Sequence, residues 1–219
     1  MRLGVFGGTF DPIHVGHLAA ANAAIDCAHL DRVLFVPSAQ PPHRTAAMAP
    51  AKDRLAMCRL AADELGGSFR FEVSDVEVKR GGRSYTVDTL DEVHRANPED
   101  ELFLILGWDA ARLFGTWREP ERVSALASVV IVTRPGMEPP TRADLAALGL
   151  DPERVVNCTV RTPDVSGSEL RSAIAAGQPV AGKVPLAVES YITTHHLYPH
   201  LAGPPERTGS PSPHGGEAG

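Results

Sequence analysis

Gly7-Gly8-Thr9-Phe10-Asp11-Pro12-Ile13-His14-Val15-Gly16-His17 follows directly on the apolar run Leu3–Phe6. A short buried strand therefore feeds a glycine-rich turn, and the turn feeds a helix that opens with two histidines three apart. Glycines let backbone N–H groups approach phosphate oxygens, and a helix N-terminus adds positive potential beside them. Residues i and i+3 share a helix face, so His14 and His17 can point together at one oxygen-rich ligand. Gly16 between them has no side chain, which lets that ligand come close. The arrangement suits the phosphates of a nucleoside triphosphate. A metal centre would want a third and a fourth ligand, and no acidic or cysteine partner stands at a familiar spacing. A bare His-x-x-His also fits an ordinary amphipathic helix; the Gly-Gly-Thr-Phe-Asp-Pro turn decides against it.

Working outward, strand and helix patterns alternate. Leu3–Phe6, Arg32–Pro37, Phe69–Ser74, Glu101–Leu106, Ser128–Thr133 and Val155–Val160 read as short apolar strands. Gly16–Ala28, Lys52–Leu65, Thr86–Ala96, Asp109–Phe114 and Arg142–Leu148 read as helices between them, and Ser168–Ala176 (ended by Gly177) and Pro185–His195 as two closing helices. Such alternation predicts crossover units and a largely parallel sheet covered on both faces. Ligands of open parallel sheets sit outside the carboxyl ends of the strands. The glycine turn lies at one such end.

Bulk properties exclude more than they assign. The chain has 219 residues, 43% of them hydrophobic and 22% charged, enough for a single domain over residues 1–200 with a real core. A net charge of −6 argues against a nucleic-acid partner. Three widely separated cysteines, Cys27, Cys58 and Cys158, form neither a disulfide framework nor a zinc pattern, and point to a reducing cytoplasm. No apolar run reaches the length of a membrane span, and the start lacks the shape of a signal peptide. Residues 201–219 have almost nothing to bury and are expected to be a disordered tail. His195, His196, His200 and His214 read as solvated rather than metal-binding. The sequence admits a homo-oligomer without setting the oligomeric state.

Gly8-Thr9-Phe10-Asp11-Pro12 with His14-x-Gly16-His17 resembles the signature of the nucleotidyltransferase superfamily. Further segments narrow it: Pro41-Pro42-His43-Arg44, Ser84-Tyr85-Thr86-Val87-Asp88-Thr89, Gly107-Trp108-Asp109, Thr116-Trp117, Arg134-Pro135-Gly136 and Val165-Ser166-Gly167-Ser168-Glu169-Leu170-Arg171. In order and separation these are similar to bacterial nicotinate-nucleotide adenylyltransferases. The resemblance implies an α/β, Rossmann-like open parallel sheet with helices on both faces, of the HxGH nucleotidyltransferase type. It implies an enzyme that moves the adenylyl group of ATP onto nicotinate mononucleotide in NAD biosynthesis, giving deamido-NAD and pyrophosphate. Rival expectations are another nucleotidyltransferase (phosphopantetheine adenylyltransferase or a cytidylyltransferase) and a non-catalytic nucleotide-binding module.

Residue by residue, the resemblance gives His14, His17 and Arg171 the catalytic work of holding and neutralising phosphates. Gly8, Thr9, Phe10, Gly16, Arg134, Ser166 and Ser168 bind ATP, and Asp109 meets a ribose hydroxyl. His43 and Arg44 meet the mononucleotide phosphate. Backbone N–H groups around Ser84, Tyr85 and Thr86 receive the carboxylate, and Trp117 stacks on the pyridine ring. Magnesium is carried by ATP and water, so no protein metal site is expected. Three positions depart from the pattern: Gly167 stands for a serine, Trp108 for a smaller residue, and Arg83 for a proline. Ser166 or Ser168 is expected to cap the following helix, with Ser166–Glu169 fitting a capping box. Asp11, before Pro12, reads as a helix cap and not a general base, since the substrate phosphate is already ionised.

Overall fold

Alternate residues of a strand face opposite sides, and here both sides are apolar, so the sheet must be covered twice. The computed structural model describes residues 1–41, 47–65, 70–133, 136–159 and 165–199. Its strands are β1 (Arg2–Gly8), β2 (Arg32–Pro37), β3 (Phe71–Val73), β4 (Glu101–Gly107), β5 (Ser128–Thr133) and β6 (Val155–Thr159). They form one sheet in the order β3-β2-β1-β4-β5-β6, with each neighbouring pair parallel. Val5 stands opposite Leu34 on one side and Leu104 on the other, which puts β1 at the centre.

The helices are α1 (Val15–Ala28), α2 (Ala51–Glu64), α3 (Val76–Arg80), α4 (Thr86–Ala96), α5 (Trp108–Ala111), α6 (Pro120–Leu126), α7 (Arg142–Ala147), α8 (Gly167–Ala175) and α9 (Leu186–Thr194). Phe6, Phe35, Phe103, Ile105 and Val130 face a core shared with α1, α2, α8 and α9. Leu3, Val5, Leu102, Leu104 and Ile131 face a second core shared with α4, α6 and α7. The switch between the two sets occurs at every strand step, as period-two geometry demands. Burial of Leu18, Ala21, Ala24, Ile25 and Ala28 gives α1 a face of mostly small residues, which lets it lie close on the sheet. At Gly4, beneath it, a Cβ would lie 2.8 Å from Leu30 and 2.9 Å from Ile105.

The strand order reverses direction between β1 and β4, and in open parallel sheets such a switch point leaves a crevice above the carboxyl ends. Gly7, next to last in β1, and Gly107, the last residue of β4, are exposed there, and a Cβ at either would meet nothing within 4 Å. That crevice is where the glycine turn emerges.

Several sequence expectations need correction. Two short helices, α3 and α6, fall where none was expected. The helix expected at Asp109–Phe114 is split into α5 and a 3-10 turn at Phe114–Thr116. The strand expected at Phe69–Ser74 is only β3, three residues long, and Phe69, Val160 and the tail after 199 lie outside the described residues. Gly177 ends α8 as expected: its φ of +65 completes the turn, with Gln178 N–H returning to the Ala173 carbonyl at 2.8 Å. Among the described residues, no helix is long and apolar enough to cross a membrane.

Candidate active site

The loop after β1 has its carbonyls fixed one by one. Gly8 O accepts from Ser38 N–H at 2.9 Å and Thr9 O from Arg54 Nη1 at 2.5 Å. A trans peptide sets C=O and N–H on opposite sides, so the Thr9 N–H turns away from Ser38 and the Phe10 N–H away from Arg54. Phe10 holds a left-handed φ of +48 with its ring buried against Gly8, where a Cβ would lie 2.9 Å from it. Glycine at position 8 is required by that ring.

His14 stands at the N-cap of α1 and His17 three residues in. Their rings stack at 3.7 Å with 27° between planes, and His17 meets the Phe10 ring edge-on at 5.0 Å. His14 N–H donates to His17 Nδ1 at 3.3 Å. A neutral imidazole that accepts at Nδ1 carries its proton on Nε2, so His17 is set as a donor. His14 is buried and His17 half-buried, which gives the pair a fixed orientation.

Asp11 is not a helix cap. Its carboxylate accepts from Met48 N–H at 2.8 Å, Ala49 N–H at 3.1 Å and the Tyr198 hydroxyl at 2.8 Å, and its carbonyl accepts from Arg171 Nη1 at 2.7 Å. Burial and the Asp11 charge push the Tyr198 hydroxyl up, which keeps it protonated and donating. Beside this stands Arg54, buried at 1% exposure. It donates to Ala49 O (3.1 Å), Thr9 O (2.5 Å), Ser38 O (2.6 Å) and Ala39 O (3.1 Å). Burial lowers its pKa, and the Asp11 carboxylate is the leading charge working against that shift.

Arg171, one turn into α8, thus joins the last motif to the first. Ser166 is the N-cap of α8, but its hydroxyl bonds Ser168 Oγ at 2.7 Å, so the expected capping box does not form. The first-turn N–H groups of α8 receive no side-chain cap from it. A Cβ at Gly167 would make ordinary 3.4 Å contacts with Arg171 and the Asp11 carbonyl, so nothing in the packing demands glycine there.

On the other side of the crevice, Tyr85 is the N-cap of α4 and Thr86 its first residue, with no side-chain cap on the helix. The Arg118 guanidinium lies 4.9 Å from the centre of the Tyr85 ring, which brings the Trp117–Arg118 segment beside Tyr85–Thr86. Trp117 is half-buried, 5.4 Å from Phe114. Ser84 is buried, and its hydroxyl is committed to Ala39 N–H (2.9 Å) and to Glu77. Its N–H donates to the Gln40 carbonyl at 2.9 Å, so Ser84 keeps no donor for a ligand and the N–H groups left for that role are those of Tyr85 and Thr86. Glu77, on α3, is pushed up by burial and held by Ser84, Thr89 and Arg80 beneath the α4 terminus. Asp109 is exposed and paired with Arg112, whose guanidinium lies 5.8 Å from the Trp108 ring. Trp108 packs against the second core. His43, Arg44 and Arg134 lie outside the described residues.

Sequence reasoning missed Arg54, Tyr198 and Glu77. Each works through tertiary contacts that leave no local pattern.

A parallel sheet of this order, with a glycine turn and a paired-histidine helix at its switch point, defines a nucleotide-handling α/β enzyme. A cytidylyltransferase-like family model matches residues 5–173, which places the chain in the nucleotidyltransferase class. The chain is 48% identical over 198 residues to a "Probable nicotinate-nucleotide adenylyltransferase" of Thermus thermophilus, covering 90% of this chain and 100% of that protein. It is 42% identical to the protein of that name from Corynebacterium kroppenstedtii, covering 90% of each. It belongs to the nicotinate-nucleotide adenylyltransferase family. The fold also matches the Plasmodium falciparum nicotinic acid mononucleotide adenylyltransferase complexed with NaAD, at TM-score 0.70 and 17% identity over 90% of this chain and 97% of that one.

Arg54→Met keeps the aliphatic stem and removes every donor, leaving buried carbonyls and Asp11 uncompensated. The expected loss is about 3–5 kcal/mol, read as a lower urea midpoint at unchanged slope. A midpoint equal to that of the wild type would show that the guanidinium is not structural.

Proposed function

We propose that the protein transfers the adenylyl group of magnesium-ATP to the phosphate of nicotinate mononucleotide, releasing pyrophosphate, as a cytoplasmic step of NAD biosynthesis. The observation that carries this reading is the stacked His14–His17 pair, set against the Thr9–Phe10 loop at the β1/β4 crevice with Arg171 bonded to the same loop.

A phosphate oxygen of the mononucleotide attacks the α-phosphorus of ATP. The new P–O bond forms as the bond to the pyrophosphate oxygen breaks. The nucleophile is already ionised, so no protein base is needed. What this chain supplies is position and positive potential. His14 and His17 donate to phosphate oxygens, the loop N–H groups of Thr9 and Phe10 add to them, and Arg171 neutralises charge as pyrophosphate departs. Asp109 meets a ribose hydroxyl of ATP, sharing its carboxylate with Arg112. Magnesium rides on the phosphates: Asp11, the acidic residue of the loop, already gives its oxygens to Met48, Ala49 and Tyr198.

The carboxylate of the second substrate is received at the uncapped head of α4, by N–H groups at Tyr85–Thr86. Trp117, half-buried beside that segment, offers a face for the cationic pyridine ring. By family resemblance, His43 and Arg44 take the mononucleotide phosphate and Arg134 an ATP phosphate. The donors serve a small nucleotide and not a nucleic acid, in keeping with a net charge of −6.

The test is pyrophosphate release from ATP with nicotinate mononucleotide, nicotinamide mononucleotide and phosphopantetheine in parallel. An amide turns an NH₂ toward a site built of donors, a mispairing of roughly 1–3 kcal/mol. The acid is therefore expected to exceed the amide in kcat/KM by about ten- to a hundred-fold. Trp117→Ala should raise KM for both mononucleotides alike. Equal efficiencies would remove the carboxylate site, and turnover with phosphopantetheine alone would overturn the substrate assignment.

His17→Ala should lower kcat by about 10²–10³ with the fold intact by circular dichroism. Near-normal turnover in the folded variant would take His17 out of the mechanism, and undiminished nucleotide binding without turnover in the wild type would favour a non-catalytic module.

A further inference from the structure

Two thiols remote in sequence meet where α1 packs on β6. Cys158, next to last in β6, is fully buried, and its Sγ lies 3.9 Å from the Ala23 carbonyl of α1. Cys27 stands one turn beyond Ala23 on the same helix, which places its thiol next to that of Cys158 where α1 packs on β6. The two differ in access: Cys27 is exposed and Cys158 is not. Cys58, the third cysteine, is buried on α2. The adenylyl-transfer chemistry uses neither thiol of the pair. Cys27 lies ten residues beyond His17, about 15 Å along the helix axis.

We propose that Cys27 and Cys158 are a redox-modification site, closed to a disulfide by a hydroperoxide and reopened by thiols. The exposed Cys27 thiolate attacks the peroxide; an S–O bond forms, the O–O bond breaks, and the alkoxide or hydroxide released takes up the proton that Cys27 gave to solvent and leaves as alcohol or water. The Cys158 sulfur then attacks Cys27, the S–S bond forms, and the S–O bond breaks. The hydroxide released takes the Cys158 proton and leaves as water. Two thiols are oxidised by two electrons and one peroxide is reduced. Burial, with the neighbouring Cys27 thiol adding to it, pushes the Cys158 thiol up. Cys158 thus stays a thiol while the exposed Cys27 meets the peroxide, which orders the two steps. The resulting bond staples α1, whose head carries His14, to β6, whose end leads toward the Ser166–Arg171 segment. Sequence spacing alone reads three cysteines as unrelated; the packing of α1 on β6 pairs two of them.

The experiment treats the full-length protein with hydrogen peroxide, blocks remaining thiols with N-ethylmaleimide under denaturing conditions, and maps peptides without reduction. The expected result is one monomeric species lighter by two hydrogens before alkylation and, after it, a single maleimide on Cys58 and a cross-linked peptide holding Cys27 and Cys158. Dithiothreitol should restore the starting mass, and the oxidised protein should melt several degrees higher, because the loop closed is long. Cys27→Ser and Cys158→Ser should each abolish the cross-link, while Cys58→Ser should keep it. In Cys158→Ser, Cys27 should halt as a sulfenic acid trapped by dimedone; Cys27→Ser, at an exposed position, serves if that variant fails to fold. Cys27 over-oxidised or joined to a second chain while Cys158 remains fully alkylatable would overturn the proposal.

Discussion

Arg54 is 1% exposed, and its guanidinium donates to four main-chain oxygens drawn from three separate segments: the turn after β1, the end of β2, and the approach to α2. Next to it, Asp11 gathers two N–H groups from residues 48 and 49 and the hydroxyl of Tyr198. Burying a cation is costly, and the lowered pKa of Arg54 records that cost. Hydrogen bonds and the Asp11 charge offset it, so the return is conformational: loops that water would leave adaptable are held in one arrangement. With the Thr9 carbonyl held by Arg54 and the Gly8 carbonyl by Ser38, the following N–H groups are turned away from both partners.

The proposed chemistry depends on donors arranged before the substrate arrives. The same polar centre spans the chain. Arg171, from α8, bonds the Asp11 carbonyl; Tyr198 reaches the Asp11 carboxylate from beyond α9. α9 is itself fixed to α2, with the Glu64 carboxylate accepting Leu186 and Ala187 N–H groups and Tyr191 donating to Asp53. The cradle is therefore assembled from both ends of the described fold. Its second half, at the head of α4, rests in a similar way on a buried carboxylate, Glu77, beneath the loop that carries Ser84 and Tyr85.

Sequence legibility follows locality. The β1 turn, the histidine pair and Gly177 are local patterns, and apolar runs of six or seven residues such as Arg32–Pro37 and Glu101–Gly107 bring their own signal. α3 is five residues with charges at three of them, too short for a period to register, and α6 begins at Pro120 behind a left-handed Glu119. Asp11 reads as a cap because a cap needs only neighbours, whereas its partners stand at 48, 49 and 198. Arg54 sits in an ordinary helical pattern whose burial only the tertiary fold decides. Ser166 has the spacing of a capping box, but Ser168 competes for its hydroxyl at 2.7 Å. Among the expected site residues, Ser84 has both its hydroxyl and its N–H already engaged, by Ala39 and Gln40.

The central claim is that the Asp11 centre aligns the phosphate cradle from a distance. Tyr198→Phe tests it most directly, since it deletes one hydroxyl bond to Asp11 and alters no group placed against substrate. The measurement is kcat/KM for ATP and for the mononucleotide in the folded variant. The account predicts a loss of about ten-fold for ATP, larger than that for the mononucleotide, because a small displacement of the loop misaligns its donors. Wild-type efficiency toward ATP, or an equal loss toward both substrates, would contradict it.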